Sequence, residues 1–118
     1  GLTINQRLAY TPGSPLKLTE YGETLMKESG FYNVLRDNRR SFIDAVKAKN
    51  PQTNYDIQES ATAVLRELAN ANNQLVVQLK NYAFDKGLPL ELMLNSAGIL
   101  LRDEVMKELK FGDSTLDK

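Results

Sequence analysis

Apolar residues along this chain recur mainly three and four positions apart, which is the spacing of one face of an α-helix. The longest apolar stripe lies near the C-terminus and consists of Leu90, Met93, Leu94, Ala97, Leu101, Val105 and Leu109. Ile99 and Leu100 widen the apolar arc of this helix, so we expect it to be the central one. A second stripe consists of Ile57, Ala61, Val64, Leu65 and Leu68.

Helix start and stop signals divide the chain at regular intervals. Thr19 is a good N-cap for a first helix, and Gly30 closes it as the residue after the last turn. Thr53, followed three residues later by Asp56, matches a capping box and predicts a helix through about Ala69. Gly87 ends a further helix, and Pro89 suits the first turn of the last one.

The segment from Phe31 to Lys49 also has helical spacing, with a break predicted near Asp37. Asn50 precedes Pro51 and ends this segment, because a residue before proline avoids the α region.

The fold should therefore be mainly α, a single domain of about five helices around one core. We expect an extended lead-in at 1–13, a helical domain at 14–111 and a flexible tail at 112–118. A short strand near the N-terminus, at Leu16 and Leu18, is the most β-structure that we expect.

The composition excludes several kinds of catalytic and metal site, but it does not identify a function. The 118 residues include no cysteine and no histidine, which excludes thiolate zinc sites, imidazole ligands and a serine–histidine triad built from this chain. We expect no cofactor and no enzymatic activity. No apolar run approaches the roughly 18 residues that a membrane helix needs. The lack of cysteine is compatible with any compartment, and we favour the cytoplasm.

Charged residues are balanced, with 15 basic and 15 acidic side chains. The carboxylates considered for acid–base work are Asp44, Asp56, Glu59, Asp103 and Glu104, and a structural role is the better interpretation of each. A basic group that could contact nucleic-acid phosphates consists of Arg36, Arg39, Arg40, Lys47 and Lys49. Asp37 and Asp44 interrupt this group, so a solvated helix face is the favoured interpretation.

Several apolar residues lie partly off the main stripes: Val76, Val77, Phe84, Ile99 and Leu100. If they are exposed together, they would form a patch suited to a protein partner. The alternative is that they are enclosed in the core of a small bundle.

The stretch SPLKLTEYGETLMKESG (residues 14–30) resembles the end of the wing in MarR-type winged-helix regulators. The matching residues are Leu16, Leu18, Thr19, Glu20, Gly22 and Leu25. In those regulators a helix-turn-helix precedes the wing, and the residues before this stretch are too few to form one.

A broader resemblance is to a group of uncharacterised bacterial helical-domain proteins. It rests on this opening and on the blocks NPQTNYDIQE (50–59), KNYAFDKG (80–87) and GILLRDEVMKEL (98–109). The resemblance implies a helical domain, often at the end of a longer chain, and implies no reaction or cofactor.

The leading hypothesis is a non-enzymatic domain for protein interaction, oligomerisation or regulation, with a protein partner or a second copy as its ligand. The alternative is a DNA-associated, winged-helix-like domain that contacts phosphates through the basic group.

Overall fold

The computed structural model describes residues 18–109, and over this range it contains six α-helices and no β-strand. The helices are α1 (Glu20–Ser29), α2 (Phe31–Asp37), α3 (Arg39–Ala48), α4 (Asn54–Asn70), α5 (Val77–Lys86) and α6 (Leu90–Glu108). They surround one hydrophobic core, which confirms the predicted mainly α, single-domain fold. The expected lead-in, the tail and Leu16 of the expected strand lie outside the described residues.

The first helix begins and ends as its sequence signals predict. The Thr19 hydroxyl accepts a hydrogen bond from the Gly22 N–H at 3.0 Å and so caps the helix start. Gly30 has a φ of +85°, in the left-handed region, and its N–H donates to the carbonyl of Lys27. This glycine lets the chain change direction at once into α2.

The segment predicted to break near Asp37 forms two helices that meet at Asn38. Asn38 has φ −119° and ψ 25°, outside the helical range, and its side-chain amide donates to the Val34 carbonyl at 2.9 Å. Phe31 of α2 and Phe42 of α3 pack edge to face with ring centroids 5.8 Å apart. The break therefore directs two aromatic rings into the same part of the core.

The capping box at the start of α4 is present with one difference from the usual pattern. The Thr53 hydroxyl accepts from the Asp56 N–H at 3.0 Å, as expected. The Asp56 carboxylate accepts from the N–H of Gln52, one residue before the cap, at 3.1 Å. The Asp56 side chain therefore stabilises the start of α4.

The last helix is the central one, as its wide apolar arc predicted. α6 packs against α1, α3, α4 and α5. Because neighbours surround it, nearly every residue from Leu92 to Leu101 is buried. The most extensive of these contacts is with α4, where Ile57, Ala61 and Leu65 have no exposed surface.

Gly98 allows α4 and α6 to approach closely. A Cβ atom at this position would lie 2.4 Å from the Thr62 hydroxyl oxygen and 3.3 Å from the Thr62 Cα. Ser96, two residues earlier, is buried and donates to the Leu92 carbonyl at 2.9 Å. The small residues of α6 therefore serve helix packing.

Candidate protein-interaction surface

The basic residues predicted as phosphate contacts lie on α2, on α3 and, for Lys49, directly after α3, and the structure pairs most of them with carboxylates. The Arg39 guanidinium contacts Glu104 at 2.8 Å and Glu108 at 3.1 Å, both on α6. Arg40 contacts Asp44 at 3.2 Å and also pairs with Glu108. These ion pairs connect α3 to the C-terminal half of α6.

The remaining members of the basic group do not add a continuous positive surface. Arg36 lies 3.2 Å from Asp37, its neighbour in sequence. Lys49 pairs with Glu67 of α4, and Lys47 is exposed. Most of the positive charge is therefore neutralised by the protein's own acids, which leaves little to attract a polyanion.

The pKa values of the acidic partners reflect these contacts. The hydrogen bond from Arg40 lowers the pKa of Glu108, and Arg39 lowers it further. Partial burial acts to raise the pKa of Glu104, but hydrogen bonds from Arg39 and Lys107 outweigh it, and the pKa is lowered. Both groups are therefore ionised at neutral pH and act as structural partners of the bases.

The five apolar residues considered for an exposed patch do not lie together, and for two of them the patch interpretation is wrong and the alternative, enclosure in the core, holds. Val76 and Ile99 are 0% and 1% exposed. Val76 precedes Leu79 and Ala83 by three and seven residues, so it shares the core-facing side of α5. Ile99 is enclosed because several helices surround that part of α6.

Leu100 lies in a different place, in an open groove of about 510 Å³ between α2 and α6. Its apolar lining consists of Tyr32, Leu35, Leu100 and Met106. Charged side chains at its rim pair with each other, since Arg102 contacts Asp103 at 2.8 Å and Lys107 contacts Glu104 at 3.0 Å. The groove thus has no net charge with which to select a ligand. Of its lining residues, the sequence analysis named Leu100 for an apolar patch and Asp103 and Glu104 as carboxylates, but it did not place them in one groove.

Val77 and Phe84 are the two members of the predicted patch that are exposed on the same helix. Val77 is 40% exposed and Phe84 is 87% exposed. Seven residues are two helical turns, so the two side chains lie on one side of α5, with the exposed Asn81 between them. We call Val77, Asn81 and Phe84 the α5 stripe.

The opposite side of α5 is fixed firmly to the bundle. Leu79 and Ala83 are buried in the core. The Lys80 ammonium donates to the Ala69 carbonyl at 3.1 Å at the end of α4. The Tyr82 hydroxyl donates to Glu28 of α1 at 2.6 Å. The α5 stripe is therefore presented by a helix that is held from two sides.

The Tyr82 hydroxyl keeps its proton well above neutral pH. Burial, the hydrogen bond to Glu28 and the charges nearby raise the pKa of Tyr82 to about 12. The phenol stays protonated and remains a hydrogen-bond donor below that pH. The Lys86 ammonium lies 5.7 Å from the centre of the same ring, within range of a cation–π interaction.

Residues 18–109 contain neither a metal-binding cluster nor a membrane-spanning helix. In this range no group of three or more acidic residues is placed to hold a metal ion. No helix there has both the length and the apolar character that crossing a membrane requires.

Comparisons with known proteins give one partial similarity. No family model matches the chain, and neither does any solved structure. The chain is 33% identical over 64 residues to the epidermin leader peptide-processing serine protease EpiP of Staphylococcus epidermidis. That match covers 54% of this chain and only 14% of the enzyme, so the chain spans a small part of the length of this curated relative.

Proposed function

We propose that this chain is a protein-interaction module whose binding surface is the α5 stripe. The observation that carries the proposal is the exposure of Phe84, at 87%, two turns after the exposed Val77. Single apolar residues are common on protein surfaces. Two that are aligned on one helix face, with Asn81 between them, form a strip that a partner helix or strand can cover.

Covering this strip would contribute to the affinity of a partner. Burying a phenylalanine side chain contributes about 1.5–3 kcal/mol, and aromatic residues at the centre of an interface often dominate its affinity. Gln78, Asn81 and Asp85 are exposed beside or within the strip and would form a polar rim. The surface therefore combines two apolar side chains with polar groups beside and between them that give orientation.

The other functions considered have weaker support. The nucleic-acid hypothesis requires free positive charge, and Arg39 and Arg40 are engaged with Glu104, Glu108 and Asp44. The similarity to a serine protease covers only 14% of that enzyme. A serine–histidine–aspartate triad cannot be assembled from this chain alone, because its sequence has no histidine.

The proposal is tested by capture of partners from a lysate of the source organism with immobilised wild-type protein and the F84S variant. We expect the captured proteins to be lost or depleted at least tenfold, roughly, with F84S, as is usual for a central aromatic contact. Because the ring is exposed, F84S should unfold at the same temperature as the wild type within error.

The matched control is Y21S, which removes another aromatic side chain, 46% exposed, from α1. Y21S should capture the same proteins as the wild type. The proposal fails if F84S retains them, or if Y21S loses them to the same extent.

A further inference from the structure

The contact between the end of α6 and the start of α3 is made by charges that do not suit their own helices. Arg39 and Arg40 are the first two residues of α3, and its first turn has no acidic residue. Glu108 is the last residue of α6, and the basic residue of that last turn, Lys107, is paired with Glu104. Because a helix carries partial positive charge at its start and partial negative charge at its end, Arg39, Arg40 and Glu108 each oppose the dipole of their own helix.

The two helix ends compensate each other across the contact. The Arg39 guanidinium donates to Glu104 at 2.8 Å and to Glu108 at 3.1 Å, both on α6. Arg40 donates to Glu108 at 3.1 Å and is paired within α3 with Asp44. Charges that weaken their own helix end become favourable only when the opposite helix end is in place, so the two ends depend on each other.

Apolar packing holds the end of α6 less firmly than the rest of this helix. Nearly every residue from Leu92 to Leu101 is buried, whereas Val105 is the only buried residue from 102 to 109. Met106 and Leu109 are partly buried against the core. A segment with few buried contacts opens at a lower free energy than the core does. The ion pairs to α3 therefore carry a larger share of the contact here than elsewhere along α6.

We infer that the end of α6, residues 102–109, and the first turn of α3 form an electrostatic latch that opens locally while the rest of the bundle stays folded. We call this contact the α3–α6 latch. When it is closed, carboxylates of α6 neutralise Arg39 and Arg40. When it opens, both arginines lose their partners on α6 and return to the solvent.

Native-state hydrogen exchange in low concentrations of urea tests the latch in the wild type, because each helix end has its own reporter amide. The Leu109 N–H donates to the Val105 carbonyl at 2.9 Å, and the Phe42 N–H donates to the Asn38 carbonyl at 3.1 Å. We expect these two amides to share one free energy of opening and one weak dependence on urea, both smaller than those of the amides between Leu94 and Leu101. If Leu109 exchanges early and Phe42 only with the core, the end of α6 frays by itself and the inference is overturned.

Two variants test whether the ion pairs hold the latch closed. E104Q/E108Q removes the carboxylates that bind α3, so the opening equilibrium of the two reporter amides should increase roughly three- to tenfold, as expected when several exposed ion pairs are lost together. The matched control E91Q removes another carboxylate of α6, whose partner Arg66 lies on α4. That pair persists when the latch opens, so E91Q should leave the reporter amides unchanged and lower protection only where exchange requires global unfolding. Unchanged reporter amides in E104Q/E108Q, or an equal loss of their protection in E91Q, overturns the inference.

A double-mutant cycle tests whether the two helix ends depend on each other. Arg39 contacts Glu104 and Glu108, so R39Q alone should increase the opening equilibrium of the reporter amides. Once both carboxylates are neutral, the charge of Arg39 only opposes the dipole of α3. Adding R39Q to E104Q/E108Q should therefore cause no further increase. Additive effects would mean that the two helix ends open independently, and they would overturn the latch.

Discussion

At the scale of single residues, Gly98 sets how closely the two longest helices pack. An added Cβ would meet the Thr62 hydroxyl at 2.4 Å, with the Thr62 Cα behind it at 3.3 Å. We expect G98A to destabilise the protein by about 1–3 kcal/mol through overpacking. This cost exceeds the gain of about 1 kcal/mol that alanine brings to a helix interior. Urea unfolding followed by circular dichroism measures the difference.

The double variant G98A/T62A is the matched control. It removes the hydroxyl that the new methyl group would strike, so part of the lost stability should return, and the two substitutions should not be additive. T62A alone loses the hydrogen bond from the Gln58 amide, at 3.3 Å, and provides the reference. A G98A variant as stable as the wild type would contradict this account of the helix contact.

At the scale of elements, the start of α4 depends on a local signal. The hydroxyl of Thr53 satisfies the N–H of Asp56 at 3.0 Å. We expect T53A to lower the free energy of unfolding by about 1 kcal/mol, the usual cost of losing such a cap. T53S keeps the hydroxyl and should retain most of the stability in the same urea titration. If T53A and T53S are equally stable, the cap does not stabilise α4.

A comparison of α4 with α5 shows why a side-chain cap matters at the start of α4 but is not needed at the start of α5. α4 and α6 form the largest helix contact in the described part of the chain, so fraying at the start of α4 would disturb the core at Ile57. α5 begins at Val77 without a side-chain cap, yet it is held by Leu79, Ala83 and the Lys80 contact with α4. Tertiary packing replaces the local signal in that case.

At the scale of the whole molecule, carboxylates on α6 connect it to other helices and make stability depend on pH. Glu91 binds Arg66 of α4 through two contacts, at 2.7 and 2.8 Å, and this lowers the pKa of Glu91 below its ordinary value of 4.5. The pKa values of Glu104 and Glu108 are lowered as well. In the unfolded chain these pKa values return to the ordinary one.

A lowered pKa in the folded state contributes stability above the ordinary value, and that contribution is lost as the pH falls from there through the folded pKa. We therefore expect the urea midpoint to stay nearly constant from pH 7 to about 5 and to decrease at lower pH, where the paired carboxylates become protonated.

The variant E91Q tests the ion pair between Glu91 and Arg66 by itself. It should be slightly less stable than the wild type at neutral pH. The difference should shrink as the pH falls below 4.5 and should vanish once the pH lies below the lowered pKa of Glu91, where the carboxyl is protonated in both states. A difference that is independent of pH would contradict the role of the ion pair.

The sequence by itself determined where α1 and α4 begin and where α1 and α5 end, because those ends depend on local chemistry. Thr19, Gly30, Thr53 and Gly87 act within one turn of their own positions, so their effects can be predicted without knowing the fold. The 3.6-residue period of the apolar positions also identified α6 as the central helix, since only a surrounded helix can bury so wide an arc.

Only the tertiary structure decided which surfaces remain available. Arg39 and Arg40 appeared as a candidate phosphate-binding face until α6 brought Glu104 and Glu108, more than sixty residues away in sequence, into contact with them. Val76 and Val77 are adjacent in sequence, yet one is buried and the other exposed, because a single residue turns a helix by about 100°. Exposure depends on which helices pack nearby, and that arrangement is what leaves Phe84 as an apolar side chain in water.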